Sequence, residues 1–114
     1  MANRTIKLYK KYFTEFYLEQ TENVKRKINY CLNMVKTVDR VPSSILRNME
    51  GTEGLYEIRV GVGSNIFRIF CCFDDGALVI LFNGFQKKTQ KTPKKEIDRA
   101  KRLMKEYFNE KQNG

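Results

Sequence analysis

The chain is 114 residues long with 41% hydrophobic side chains, enough for one domain with a core of its own and too little for a second. Its 22 lysines and arginines outnumber 13 acidic residues; the formal charge of +9 speaks about partners rather than fold and favours an anionic one, nucleic acid ahead of an acidic protein or a membrane surface. The absence of histidine excludes the commonest general base and the commonest metal ligand together, so any catalysis falls to lysine, arginine, tyrosine or a carboxylate.

The opening MANRTIKLYKKYF lacks the apolar centre of a signal peptide, and no stretch approaches the ~18 apolar residues of a membrane span, so a cytoplasmic protein is expected. Ile6 and Leu8 alternate with polar neighbours as in a half-buried strand. From Lys11 the spacing changes to three and four. Phe13, Phe16 and Tyr17, then Val24, Ile28, Cys31, Leu32 and Val35, predict two helices hinged near Gln20 to Asn23, with Thr21 capping the second. Pro42 and Ser43 end this region; Ser44 to Met49 is predicted as a short helical turn and EGTEG as a loop. Three strands are predicted over Leu55–Val60, Ile66–Phe73 and Leu78–Phe85, with Asp74-Asp75-Gly76 turning a hairpin between the last two. The run ALVILFNGF is apolar on both faces, as in a central strand covered on both sides, or on one side with the other in an interface. Thr92 as capping hydroxyl and Pro93 at the first helical position open a last helix, whose stripe is Ile97, Ala100, Leu103, Met104, Tyr107 and Phe108. The order predicts a single α+β domain over residues 1–114 with antiparallel pairing of consecutive strands.

Cys31, Cys71 and Cys72 lack the spacing of a zinc site or a disulfide framework and read as buried thiols in a reducing compartment; no metal and no other cofactor is expected. Between Gly51 and Gln86 the only basic residues are Arg59 and Arg68, and alternation places Arg68 on one strand face with Ile66, Phe70 and Cys72. A charge in so apolar a strand needs a partner. One reading pairs Arg68 or Arg59 with Glu57 or another acid; the other gathers Arg59, Arg68, Lys87 and Lys88 on one face, where their repulsion calls for a phosphate among them. Lys91, Lys94 and Lys95 follow as candidate RNA-binding residues or as an ordinary solvated loop and helix start; Lys25, Arg26, Lys27 and Lys36 admit the same two readings. Tyr56 falls on the opposite strand face from Arg59, and Tyr107 on the apolar stripe of the last helix.

The succession LYEIRV, NIFRIFCCF, DDG, ALVILFNGFQKKTQKTPKKEIDRAKRLMKEYF resembles the RelE/ParE superfamily of bacterial toxins, most closely its HigB-like, phage-associated branch, over roughly Leu55 to Phe108. The stretch from Gly84 to Pro93 carries most of that likeness. The resemblance implies a RelE-like curved antiparallel sheet with two N-terminal helices and a C-terminal helix. It implies a toxin of a type II toxin-antitoxin system, an endoribonuclease that cuts messenger RNA on the ribosome through the RNA 2′-hydroxyl without a metal. Carried over, Arg59, Arg68 and Lys87 or Lys88 take the charge-stabilising roles, and a helix-turn-helix, HigA-like antitoxin is the partner. Histidine, used by several HigB-type toxins, is missing here, which leaves the general base unassigned. The ParE branch, a gyrase poison, and a non-catalytic nucleic-acid-binding phage protein are the alternatives sharing this outline.

Overall fold

The computed structural model describes residues 2–88 and 90–114; Met1 and Thr89, the latter inside the lysine-rich segment, lie outside the described residues. Strand β1 (Thr5–Leu8) leads into helix α1 (Tyr12–Leu18) and helix α2 (Glu22–Thr37), followed by β2 (Leu46–Asn48), β3 (Tyr56–Val62), β4 (Asn65–Asp74), β5 (Leu78–Lys87) and helix α3 (Lys94–Asn113). The strands form one sheet in the order β1-β5-β4-β3-β2. Consecutive strands β2 to β5 pair antiparallel, whereas β1 lies parallel to β5, which makes the sheet mixed rather than wholly antiparallel. The architecture is α+β, consistent with a RelE-like fold.

The two-sided apolarity of β5 has a direct cause: helices cover both faces of the sheet. Val79 and Leu81 join Ile58, Val60, Phe67, Ile69 and Cys71 under Phe13 and Phe16 of α1 and Val24, Ile28, Cys31 and Val35 of α2. Ile80 and Phe82 join Leu55, Phe70 and Cys72 under Ala100, Leu103 and Tyr107 of α3. The three cysteines are free and buried, and burial pushes the Cys72 thiol up to about 12, out of reach of thiolate chemistry. Among the described residues no helix is long and apolar enough to cross a membrane.

Local chemistry sets the element ends. The Thr21 hydroxyl accepts from the Val24 amide at 3.3 Å and starts α2 as expected. At the other end Arg4 donates to the carbonyls of Val35 (2.8 Å) and Val38 (2.7 Å), a cation satisfying the orphan carbonyls of a helix C-terminus. Asp75 and Gly76 both have positive φ, as the Asp-Gly turn between β4 and β5 requires.

Two expectations are corrected. In the segment Ser44–Met49 the turn is confined to the first two residues, where the Ile45 and Leu46 amides donate to the Pro42 carbonyl, and Leu46–Asn48 is β2, because the edge of β3 offers it a ladder: Arg59 donates its amide to the Ile45 carbonyl at 2.7 Å, and Arg47 lies opposite Glu57. Thr92 does not cap α3. The helix begins one residue later with Pro93 at the cap position and no side-chain cap bond, and the Thr92 hydroxyl donates instead to Glu57 Oε2 at 3.4 Å.

The C-terminal half of α3 is fastened by a buried polar group. The Tyr107 hydroxyl donates to Asp74 Oδ2 at 2.7 Å, and Lys111 Nζ donates to both Asp74 oxygens at 2.9 and 2.8 Å. The lysine contact first, and then the tyrosine, holds the Asp74 carboxyl below its ordinary range, while burial and that carboxylate push the Tyr107 phenol up to about 12. A carboxyl lowered in the folded state contributes stability that is complete above its unfolded value and is lost as pH falls through the folded one. Urea unfolding of Tyr107→Phe is therefore expected to show a loss of about 1 kcal/mol at neutral pH. In Asp74→Asn the decline in stability below about pH 4 is expected to be shallower than in the parent.

Candidate functional site

Helix α3 packs over β4 and β5 on its face of the sheet. Beyond the helix N-terminus, β2 to β5 present a set of charged side chains, built by register. Arg59 of β3 and Arg68 of β4 stand directly opposite each other, an arrangement that two like charges disfavour. The compensating group is one step down the same face: Glu57, whose side chain is fully buried. Its Oε1 accepts from Arg68 Nη1 in a close contact and from Arg47 Nη2 at 3.0 Å, and its Oε2 accepts from Thr92.

Arg68 is thus answered by an internal acid, as the ion-pair reading expected, and the gathering of cations is present as well. Lys87 follows Phe85, the residue opposite Arg68, on this face, and lies opposite Ile66. Its ammonium is held below the ordinary lysine range first by desolvation and then by Arg68, with Arg47 and Arg59 adding and Glu57 opposing. Four cations, Arg47, Arg59, Arg68 and Lys87, gather around one carboxylate, which pairs with Arg47 and Arg68, and three positive charges are left in excess. Arg59 is exposed and, among the described residues, makes no ion pair, and Arg68 Nε is buried with no hydrogen-bond partner among them. The group has the makings of an anion site: two forked guanidinium groups fixed on Glu57, a third exposed one to reach, and an ammonium disfavoured by its cationic neighbours. Among the described residues no three His, Cys, Asp or Glu side chains converge where they could hold a metal ion.

All of these residues fall inside the stretch, residues 15–105, that matches the family model "Phage derived protein Gp49-like (DUF891)". The chain belongs to this family. It is a family of RelE/HigB-type toxins. No curated protein matches the chain.

Within this Gp49-like domain the structure separates the predicted lysines. Arg59, Arg68 and Lys87 come together; Lys88 does not join them. The reason is a β-bulge in β5. Ile69 lies opposite Gly84 and Cys71 opposite Leu81, so two residues of β5, Phe82 and Asn83, face the single residue Phe70. The extra residue inverts the alternation beyond it. Lys87 is brought to the side of Arg68, and Lys88 lines a groove beside α1. Lys91, Lys94 and Lys95 are exposed on the segment that enters and begins α3, with Lys94 Nζ 3.7 Å from Asp98. Tyr56 packs edge-on against Phe73, and Tyr107 lies in the core, so neither reaches the cluster.

Arg47 escaped the reading of the sequence because its segment was expected to be helical. Reading Leu46–Asn48 as a strand against β3 would have set it beside Glu57. Removing Glu57 strands a buried guanidinium, whereas removing Arg68 leaves Glu57 with Arg47 and Thr92. Glu57→Ala is expected to cost on the order of 3–5 kcal/mol of stability and Arg68→Ala clearly less, measured by urea unfolding.

Proposed function

We propose that this Gp49-like chain is a HigB-like toxin of a type II toxin-antitoxin system, and that it cleaves messenger RNA on the ribosome by activating the RNA 2′-hydroxyl without a metal. The observation that carries this reading is the excess of three positive charges around buried Glu57, on the sheet face beside the start of α3. Family membership supports the toxin part.

RNA brings its own nucleophile, so the protein has to orient the 2′-hydroxyl, take its proton and stabilise the charge that builds on the phosphorane. Arg59 and Arg68 take the non-bridging phosphate oxygens, with Arg68 aimed by Glu57 and Arg47 steadying that acid from the edge strand. Lys87 supplies the general base that histidine supplies elsewhere. Its surroundings disfavour the ammonium, and the neutral amine accepts the 2′-hydroxyl proton; the 2′-oxygen then bonds to phosphorus to give a 2′,3′-cyclic phosphate as the P–O5′ bond breaks, and the departing 5′-oxygen takes a proton from water. The exposed Lys91, Lys94 and Lys95 attract the phosphates of the message, and the overall charge of +9 suits docking on ribosomal RNA. A HigA-like helix-turn-helix antitoxin is the proposed partner.

Induction of the gene alone is expected to arrest growth and create new 5′ ends in messages being translated, and Arg59→Ala, an exposed substitution, to abolish both. Arrest with intact messages and altered DNA supercoiling assigns the chain to gyrase poisoning instead. Salt-dependent RNA binding with no cleavage in the presence of ribosomes makes it a binding module only.

Because Lys87 acts as the neutral amine, the cleavage rate should rise about tenfold per pH unit below its lowered pKa and level off above it. Lys87→Arg, which keeps the charge but cannot give up a proton near neutrality, should lose roughly 10²–10⁴-fold in rate, read as single-turnover cleavage of a ribosome-bound message.

A further inference from the structure

Strand β1 pairs with β5 only as far as Leu8 opposite Leu81, and β5 runs on to Lys87. Beyond the end of β1 the edge of β5 therefore borders a groove of about 480 Å³, flanked by α1 on one sheet face and by Arg99 of α3 on the other. Its floor depends on Gly84: a Cβ there would lie 2.6 to 2.9 Å from the Phe16 ring, so any larger residue would force that wall to move. The groove adjoins the cationic cluster. Phe85 lines it and lies opposite Arg68, and Lys88, which lines it too, directly follows Lys87.

The lining has an unusual distribution of charge. Lys88 and Arg99 bring cations, Glu15 of α1 and Glu19 just beyond its end bring carboxylates, and among the described residues none of the four makes an ion pair. The uncommitted polar atoms beside them are acceptors. Asn83 donates its Nδ2 to the Glu96 carbonyl at 3.2 Å and to Glu96 Oε1 at 3.1 Å, which leaves Oδ1 buried with no partner. Gln20 donates its Nε2 to the Phe16 carbonyl at 2.8 Å and keeps its own oxygen free. Flat groups complete the lining: the Arg99 guanidinium lies over the Tyr12 ring, 5.8 Å from its centre, and Phe85 is half-buried beside them. A ligand that satisfies all of this has a negative charge for Lys88 and Arg99, a flat ring to stack, and a hydrogen-bond donor edge for the acceptors.

We propose that this groove is a nucleotide subsite: it takes the base next to the phosphate held at Arg59, Arg68 and Lys87, and it favours a base with an exocyclic amino group. Adenine, cytosine and guanine each carry such a donor; uracil does not. The bulge thereby acquires a role. By sending Lys87 and Lys88 to opposite sides of β5 it lets two neighbouring lysines serve two neighbouring nucleotides. An unpaired strand edge also suggests an added peptide strand, but a bulge at Phe82 and Asn83 breaks the regular ladder such a strand would need. The subsite deepens the RNA-cleaving reading and rests on it.

The test uses the full chain and fluorescent hexanucleotides of adenine, cytosine or uracil with 2′-deoxyribose throughout, which bind without being cut. Adenine and cytosine hexamers are expected to bind several-fold more tightly than the uracil hexamer. Tyr12→Ala and Arg99→Ala should each weaken adenine binding by about tenfold, the loss expected of one base stack, and remove the preference. Lys105→Ala, an exposed cation elsewhere on α3, should change it less than twofold. Equal affinities for the three hexamers, or the same loss in Lys105→Ala as in Arg99→Ala, would overturn the subsite. So would a Tyr12→Ala variant that binds all hexamers normally and loses only a protein partner, which would assign the groove to a peptide.

The two readings fail separately. If the parent cuts messages and Tyr12→Ala and Arg99→Ala cut them at the same positions and rates, the subsite is wrong and the nuclease stands. If nothing is cut but the base preference and its loss are observed, the groove binds bases and the nuclease reading is wrong.

Discussion

A single buried carboxylate organises the charged face of this protein. Glu57 is enclosed completely, and an ionised acid in that position is tolerated only when its oxygens are occupied by donors. Arg68, Arg47 and Thr92 occupy them. The consequence runs outward from there. Because Glu57 holds Arg68 down, Arg59 can stand directly across from it, Lys87 can join on the neighbouring strand, and β2 is drawn to the sheet edge through Arg47. Thr92 leaves its helix-capping position to serve the same acid, which ties the lysine-rich segment to the cluster. An acid outnumbered four to one does not neutralise such a group; it gives the group a shape and leaves the surplus charge for an anion.

Surplus charge alone does not make a site, since most exposed cations are simply solvated. What distinguishes this face is rigidity. The strands that carry Arg59, Arg68 and Lys87 are buried on the α1 and α2 side by Ile58, Val60, Phe67 and Ile69, so the guanidinium groups project from a fixed platform. Helix α3 is fixed too, by its apolar stripe and by Asp74 between Tyr107 and Lys111, and it ends short of the cluster.

Much of this was legible from spacing. The two N-terminal helices, the Thr21 cap, the Asp-Gly turn, the doubly covered β5 and the stripe of α3 all follow from local rules, because each depends on neighbours within a few residues. The segment around Arg47 did not yield to such rules. Three residues carry too little periodicity to declare a strand, and β2 exists because β3 presents an edge to it. Thr92 is similar: its hydroxyl has the right chemistry for a cap, and the choice of Glu57 over the helix amides is made by a residue 35 positions away in the chain.

The composition and order of residues by themselves determined an α+β domain rich in positive charge, with Arg59 and Arg68 as the only basic residues between Gly51 and Gln86 and the family likeness carried by the Gly84–Pro93 segment. Only the tertiary structure decided which lysine stands with them. Strand alternation has a period of two, so one extra residue anywhere in β5 reverses every assignment after it, and the bulge at Phe82 and Asn83 is set by pairing with β4, not by the residues that precede it. The division of Lys87 from Lys88, and the presence of Arg47 beside Glu57, are therefore properties of register, a relation between strands that no single stretch of sequence contains.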